Sequence, residues 1–330
     1  MFPDRRFTVS ASRRPVDRIV RGLLPALIVA VVFTTPARGG PPTVTPHQEE
    51  TVLPYVARIY FDAKAKDGSD SYFEILKNDK QVYLQKAKRK GEKFFIGPMY
   101  LDDPDAMLIK MGMDITGAGQ PDLVISEWLG GANCCLLFHI FEIGPTFKKL
   151  ATIDAEFGDS GPHFLHPDKD SKNTGLSVQI HDWTFANWNT DFADSPAPKV
   201  ILRYSDNGYR VAPDLMRAPV PDASDLATRA AAVKSYAPSA KGGEWPHAKV
   251  SPQLWGTMLD LIYSGHEAEA WKFLDDAWPP KVQGKDVFAR DFRAQLARSR
   301  YWSTVEAMNS AAPPAARNDQ SPSPTAAPTK

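Results

Sequence analysis

Cysteine is nearly absent from this chain. Its 330 residues hold two, Cys134 and Cys135, side by side in the stretch LGGANCCLLF. That spacing excludes a C-x-x-C redox motif and a multi-thiolate zinc site, and it leaves no framework of disulfides between distant loops. Long apolar runs are lacking too: the longest, residues 22–33, has 12 residues, short of the roughly 18–20 that cross a bilayer as a helix. Neither sign of charge dominates, with 39 Lys and Arg against 39 Asp and Glu. There is no serine-nucleophile elbow, phosphate loop, dinucleotide fingerprint or HExxH sequence. Those absences set aside the enzyme classes most readily read from sequence.

What is present begins with the ends. Arg18 and Arg21 precede the apolar run, and Ala37 and Gly39 follow it at the −3 and −1 positions of a signal peptidase site. Residues 1–39 are therefore expected to be a signal peptide, and the protein periplasmic or secreted. That segment carries seven Arg and two Asp, so removing its +5 from a neutral precursor leaves a mature chain near −5. An acidic exported chain offers no electrostatic case for nucleic acid, and no stable membrane span remains after cleavage. Residues 309–330 are rich in Pro, Ala, Ser and Thr and are expected to be a disordered tail.

Between the ends, two periodicities succeed one another. After a linker at 40–51, residues 52–212 read as β. Alternating runs flank turns at Lys77-Asn78-Asp79, Gly144-Pro145 and Asp206-Asn207-Gly208, where Asn-Gly is expected to supply the φ > 0 geometry. A Pro-rich linker follows at 213–223. Residues 224–308 then read as a helical subdomain. Ser251 is an N-cap with Pro252 at the first helical position, and Leu254, Met258, Leu261 and Ile262 fall on one face. Further helices are expected around 225–236, across Ala270 to Trp278, and over 285–302, where Phe288, Phe292 and Leu296 share a stripe.

The β region repeats itself. DITGAGQPDLVISEW and DKDSKNTGLSVQIHDW each place an Asp- and Gly-bearing loop before an alternating strand that ends in an acid and a Trp, and each is followed by a hairpin. The Trp128-to-Trp183 offset is 55 residues. A third, degraded unit is expected before residue 105. The loop DITGAGQPDLVI resembles the FG-GAP/VCBS-type repeat of exported bacterial proteins, whose loop reads D-x-N-G-D-G-x-x-D-L and builds propeller blades and all-β modules. The resemblance implies a mainly β fold, antiparallel, as a sandwich or partial propeller, followed by an α-helical C-terminal subdomain. It also implies an optional calcium ion at Asp114, Thr116 and Asp122, weakened because Ala118 stands where the family has a ligating Asp. Asp168 and Asp170 of the second loop are a still weaker metal set. No cofactor is required by this reading.

Candidate chemistry concentrates at the repeated strand ends. Glu127 and Asp182, equivalent in the two units, are the best acid pair for a general acid and base. Trp128, Trp183 and Trp188 could line a ligand surface. Cys134 and Cys135 are expected as a vicinal disulfide or as a pair of packed small residues, since exported thiols oxidise. The function these features favour is an exported binding or scaffold protein whose partner is an envelope protein, a peptide or a glycan. The alternative is an envelope hydrolase, directed at glycans, that uses acids near Glu127 and Asp182.

Overall fold

The computed structural model describes residues 46–61, 71–99, 108–131, 135–157, 163–165, 175–236 and 243–311. The expected signal peptide, residues 312–330 of the expected tail, Asp168, Asp170 and Cys134 lie outside the described residues, while residues 309–310 of that tail are helical. The fold is mainly antiparallel β with a C-terminal helical region, as expected from the sequence.

Twelve strands form three four-stranded sheets, each an antiparallel meander in chain order. The first holds β1 (Gln48–Val52), β2 (Tyr55–Tyr60), β3 (Tyr72–Lys77) and β4 (Lys80–Lys86). The second holds β5 (Lys93–Ile96), β6 (Asp122–Trp128), β7 (Leu136–Ile143) and β8 (Phe147–Asp154). The third holds β9 (His163–Leu165), β10 (Ser177–His181), β11 (Lys199–Ser205) and β12 (Gly208–Val211). The repeat in the sequence thus corresponds to the second strands of the second and third sheets. The region before residue 105 holds a four-stranded sheet of its own, and its β1 starts inside the segment read as linker.

The second sheet is the middle layer. Leu123, Ile125, Phe141 and Ile143 join Tyr55, Phe73 and Ile75 of the first sheet in one hydrophobic cluster. Val124, Leu136, Phe138 and Ile140, on the opposite face, join Val178, Ile180 and Val200 of the third sheet in another. A strand covered on both faces should carry a nearly continuous apolar run rather than strict alternation. In β6 that run holds buried Ser126 and Glu127 as well.

The helical region closes the far side. It comprises α1 (Pro213–Met216), α2 (Ala223–Ser235), α3 (Pro252–Tyr263), α4 (Glu267–Ala277), α5 (Lys285–Leu296) and α6 (Trp302–Ser310), with a short parallel pair, β13 (Gly243–Glu244) and β14 (Val282–Gln283), between them. Ser251 caps α3 by accepting the Gln253 N–H (3.3 Å). Trp255, Leu261, Phe288 and Phe292 belong to the same cluster as the third sheet, so helices and β layers share one core. The described residues form one compact unit.

Candidate functional site

The first-repeat loop is built around its own aspartates. Asp114 Oδ1 accepts the Gly117 N–H (2.8 Å) and its Oδ2 the Gly119 N–H (2.9 Å). Both glycines have φ of +74°, the left-handed geometry that lets successive amides turn inward. Asp122, 1% exposed, opens β6 and accepts on Oδ2 from Ile115 N–H, Thr116 N–H and the Thr116 hydroxyl, at 2.9–3.0 Å. Its Oδ1 is buried without a hydrogen-bond partner. Burial pushes the Asp122 carboxyl up to about 6, against the pull of those hydrogen bonds. The loop also docks on the second repeat: Leu176 N–H donates to Ile115 O (2.8 Å), and a Cβ at Gly175 would sit 2.4 Å from Thr116 O. Asp114, Thr116 and Asp122 therefore converge on one loop. Among the described residues no cluster of three or more His, Cys, Asp or Glu is arranged to hold a metal.

Glu127 and Asp182 do not converge; each is buried in its own network. Glu127, 3% exposed, points between the first and second sheets. Its Oε2 accepts from Gln85 Nε2 (2.8 Å) on β4 and from His139 Nε2 on β7. His139 Nδ1 meets Thr152 Oγ1 on β8 at 3.0 Å. A carboxylate only accepts, so His139 must carry its proton on Nε2; in the neutral ring Nδ1 then accepts from Thr152. Burial raises the Glu127 carboxyl, but hydrogen bonds from His139, Glu92 and Gln85 outweigh it and hold Glu127 down at about 2.

Asp182, 1% exposed, follows β10 and faces the helices. Its Oδ1 accepts the Thr184 N–H (2.9 Å) and the Thr184 hydroxyl, while Oδ2 accepts hydroxyls from Tyr263 of α3 and Ser299 after α5. Burial and the neighbouring Asp182 charge push the Tyr263 phenol well above its ordinary range. Gln295 of α5 donates to Thr184 O and pins the same turn. Asp182 is a staple between the third sheet and the helices, and neither acid presents a free carboxylate to a cleft.

The three tryptophans separate in the same way. Trp188 packs against Phe185, Trp245, Trp255 and Phe288 at ring distances of 5.1–5.8 Å and belongs to the shared core. Trp128 is half-buried beneath Lys93, whose Nζ lies 5.6 Å from its ring. Trp183 is half-buried in a different setting. It stacks on Phe192 (5.1 Å, 13° between planes), and Phe157 closes the group, edge-on to Trp183 at 5.2 Å and tilted to Phe192 at 5.0 Å. Asn187, Asn189 and Asp191 lie exposed in the same loop. Phe192 ends the aromatic- and Asn-rich stretch HDWTFANWNTDF, which the sequence itself marks, whereas Phe157 escaped the sequence reading because it sits in a distant, unpatterned loop. Arg300, held to Asp154 O (2.6 Å) and Glu156 (2.9 Å), braces the strand end beside Phe157. As for the cysteines, Cys135 is not a free thiol.

Comparison with family models, with curated proteins and with solved structures finds no match.

Proposed function

We propose that this chain is an exported binding or scaffold protein whose contact surface is the aromatic group formed by Phe157, Trp183 and Phe192, and that its ligand is a glycan. The observation carrying this reading is the Trp183–Phe192 stack, partly exposed with the Trp183 Nε1 turned inward, and flanked by exposed Asn187, Asn189 and Asp191. Aromatic faces take the C–H side of a sugar ring, while amides and carboxylates bond its hydroxyls, which is how a small site fixes orientation. Asp182 and Gln295 anchor the loop from beneath, so little ordering entropy is left to oppose binding. The test is a glycan array followed by calorimetry with the retained polysaccharide. Phe192→Ala and Trp183→Ala should weaken binding at least about tenfold, the loss expected when roughly 1.4 kcal/mol of stacking is removed. Unchanged affinity in both variants would refute it.

The hydrolase reading requires Glu127 and Asp182 to reach a substrate, and both carboxylates are instead occupied inside the protein. Polysaccharide turnover that disappears in a folded Glu127→Gln, Asp182→Asn variant would restore it.

Three consecutive four-stranded meanders support the proposed kinship with FG-GAP-type repeats, and the Asp114–Asp122 loop is its calcium candidate. Asp122 Oδ1 is the oxygen there with no hydrogen bond, whereas both Asp114 oxygens serve glycine amides. Calcium prefers six to eight oxygens, so a weak site is expected. Millimolar calcium should raise Tm by a few degrees over chelator, and an identical Tm removes calcium from the proposal. The vicinal disulfide is likewise proposed: unfolded, unreduced protein should show no reactive thiol.

A further inference from the structure

Two groups that only accept hydrogen bonds face each other between the first and second sheets. Glu92, immediately before β5, is 1% exposed, and its Oε2 accepts the N–H groups of Lys88 (3.0 Å) and Arg89 (2.9 Å). Its Oε1 is buried with no protein donor, and the Glu92 carboxyl shares a side-chain hydrogen bond with Glu127. Glu127 in turn is already the acceptor for Gln85 and His139. Two carboxylates in contact can be joined only by a proton of their own; without it they repel in a poorly screened interior.

We propose that Glu92, Glu127 and His139, all on the second-sheet side, form a proton-operated latch that holds Glu127 in place for Gln85 of the first sheet, closed when Glu92 donates a proton to Glu127 and loosened when that proton leaves. The parts come from both sides of the junction. Gln85 and Tyr83 of β4 reach in from the first sheet, while Glu127, His139, Lys149 and Thr152 come from β6, β7 and β8 of the second. The cation acting on the cluster is Lys149, which feels the Glu127 charge and also that of Lys88 in the turn before β5. Tyr83 faces the Glu127 charge. Phe73 and Phe141 wall off His139 at ring distances of 6.3 and 6.5 Å. Thr152 is exposed while its hydroxyl meets His139, which gives the buried groups a route to solvent protons.

Burial, reinforced by the Glu127 hydrogen bond, holds the Glu92 carboxyl up at about 7. A group raised above its unfolded value stabilises fully below that unfolded value, and the contribution is lost as pH rises through the folded one. The latch therefore opens between about pH 5 and pH 8.

Thermal unfolding and hydrogen exchange of the full chain at about pH 5 and pH 8 test this against Glu92→Gln, whose amide donates permanently to Glu127 while its oxygen still accepts from Lys88 and Arg89. The wild type should lose on the order of 5 °C in Tm at the higher pH. Its β5 and β6 amides should also exchange faster there after correction for intrinsic rates. Glu92→Gln should remove most of both changes. A variant that follows the wild-type profile overturns the latch. Should Glu92→Gln fail to fold, a carboxyl carbon NMR titration of the wild type decides: a Glu92 midpoint above about 5.5 supports the latch and one below it overturns it.

Discussion

Asp122 and Asp182 are both buried at the boundary of a strand, yet their surroundings predict opposite responses to substitution. Asp182 has donors on both oxygens, two of them hydroxyls from the helical region. Asp182→Ala should cost about 3 kcal/mol, because it strands Tyr263, Ser299 and Thr184 as buried donors. A lower urea midpoint with an unchanged slope would show it. Asp122 instead concentrates three donors on Oδ2 and leaves Oδ1 bare. Its carboxyl, raised by burial to about 6, binds a proton more tightly in the folded chain than in the unfolded one. That contribution is complete below about pH 4 and is lost as pH climbs through about 6. Asp122→Asn keeps an acceptor for Ile115 and Thr116 and cannot ionise. It should therefore flatten the stability profile between about pH 4 and 6 relative to wild type, a difference of up to about 3 kcal/mol in urea titrations. The positions of both acids were legible in the repeat. Their roles were not, since the groups that bury Asp182 lie 81 and 117 residues further along the chain.

Elements whose signals are local were the ones the sequence disclosed. The β3–β4 turn uses Asn78 and Asp79 at φ of +50° and +61°. In the β11–β12 turn the positive φ values fall on Asp206 and Asn207, and Gly208 already pairs with Ser205, so the turn sits one residue earlier than Asn-Gly suggested. Ser251 and Pro252 begin α3 where the capping pattern put them. The expected helix over 285–302 is instead two, α5 and α6, although neither Pro nor Gly interrupts it. The break frees Ser299 to reach Asp182, a tertiary reason with no local signature. Helix α2 shows the converse, a pattern that forms with little to hold it. Of its 13 residues Ala230 and Val233 are buried, and clefts of about 560 and 710 Å³ run along its borders with α3 and α4. Few buried contacts mean a low local opening free energy. Amide exchange should be markedly faster in α2 than in α3 or α5, and Val233→Ala should cost only about 1–2 kcal/mol against about 3–5 for Phe288→Ala. Equal protection of α2 and α3 would contradict this.

At the scale of the whole molecule, the change of period near residue 213 reads as a domain boundary, because the Pro-rich segment and the shift from 2 to 3.6 are what a linker between independent units would show. The hydrophobic clusters divide the chain elsewhere. One joins the first and second sheets, and the other runs from the second sheet through the third into α2–α6. The third sheet buries Val178, Ile180, Val200 and Leu202 in the cluster that Trp255 and Phe288 complete, and Asp182 ties the same layers by hydrogen bonds. A chain ending at residue 212 would expose that apolar face and leave Asp182 without its Tyr263 and Ser299 partners. The cost would be several large side chains at about 1.5–3 kcal/mol each, comparable with the roughly 5–15 kcal/mol that holds a folded chain together. Such a fragment should therefore be unfolded or aggregated. The full chain should melt in a single transition that coincides by far-UV circular dichroism and by tryptophan fluorescence, since Trp188, Trp245 and Trp255 sit at the shared core. Two resolved transitions, or a fragment 40–212 that folds with native-like dispersion in an NMR spectrum, would mean that the helices are an appended domain. The shared core predicts that neither will be seen.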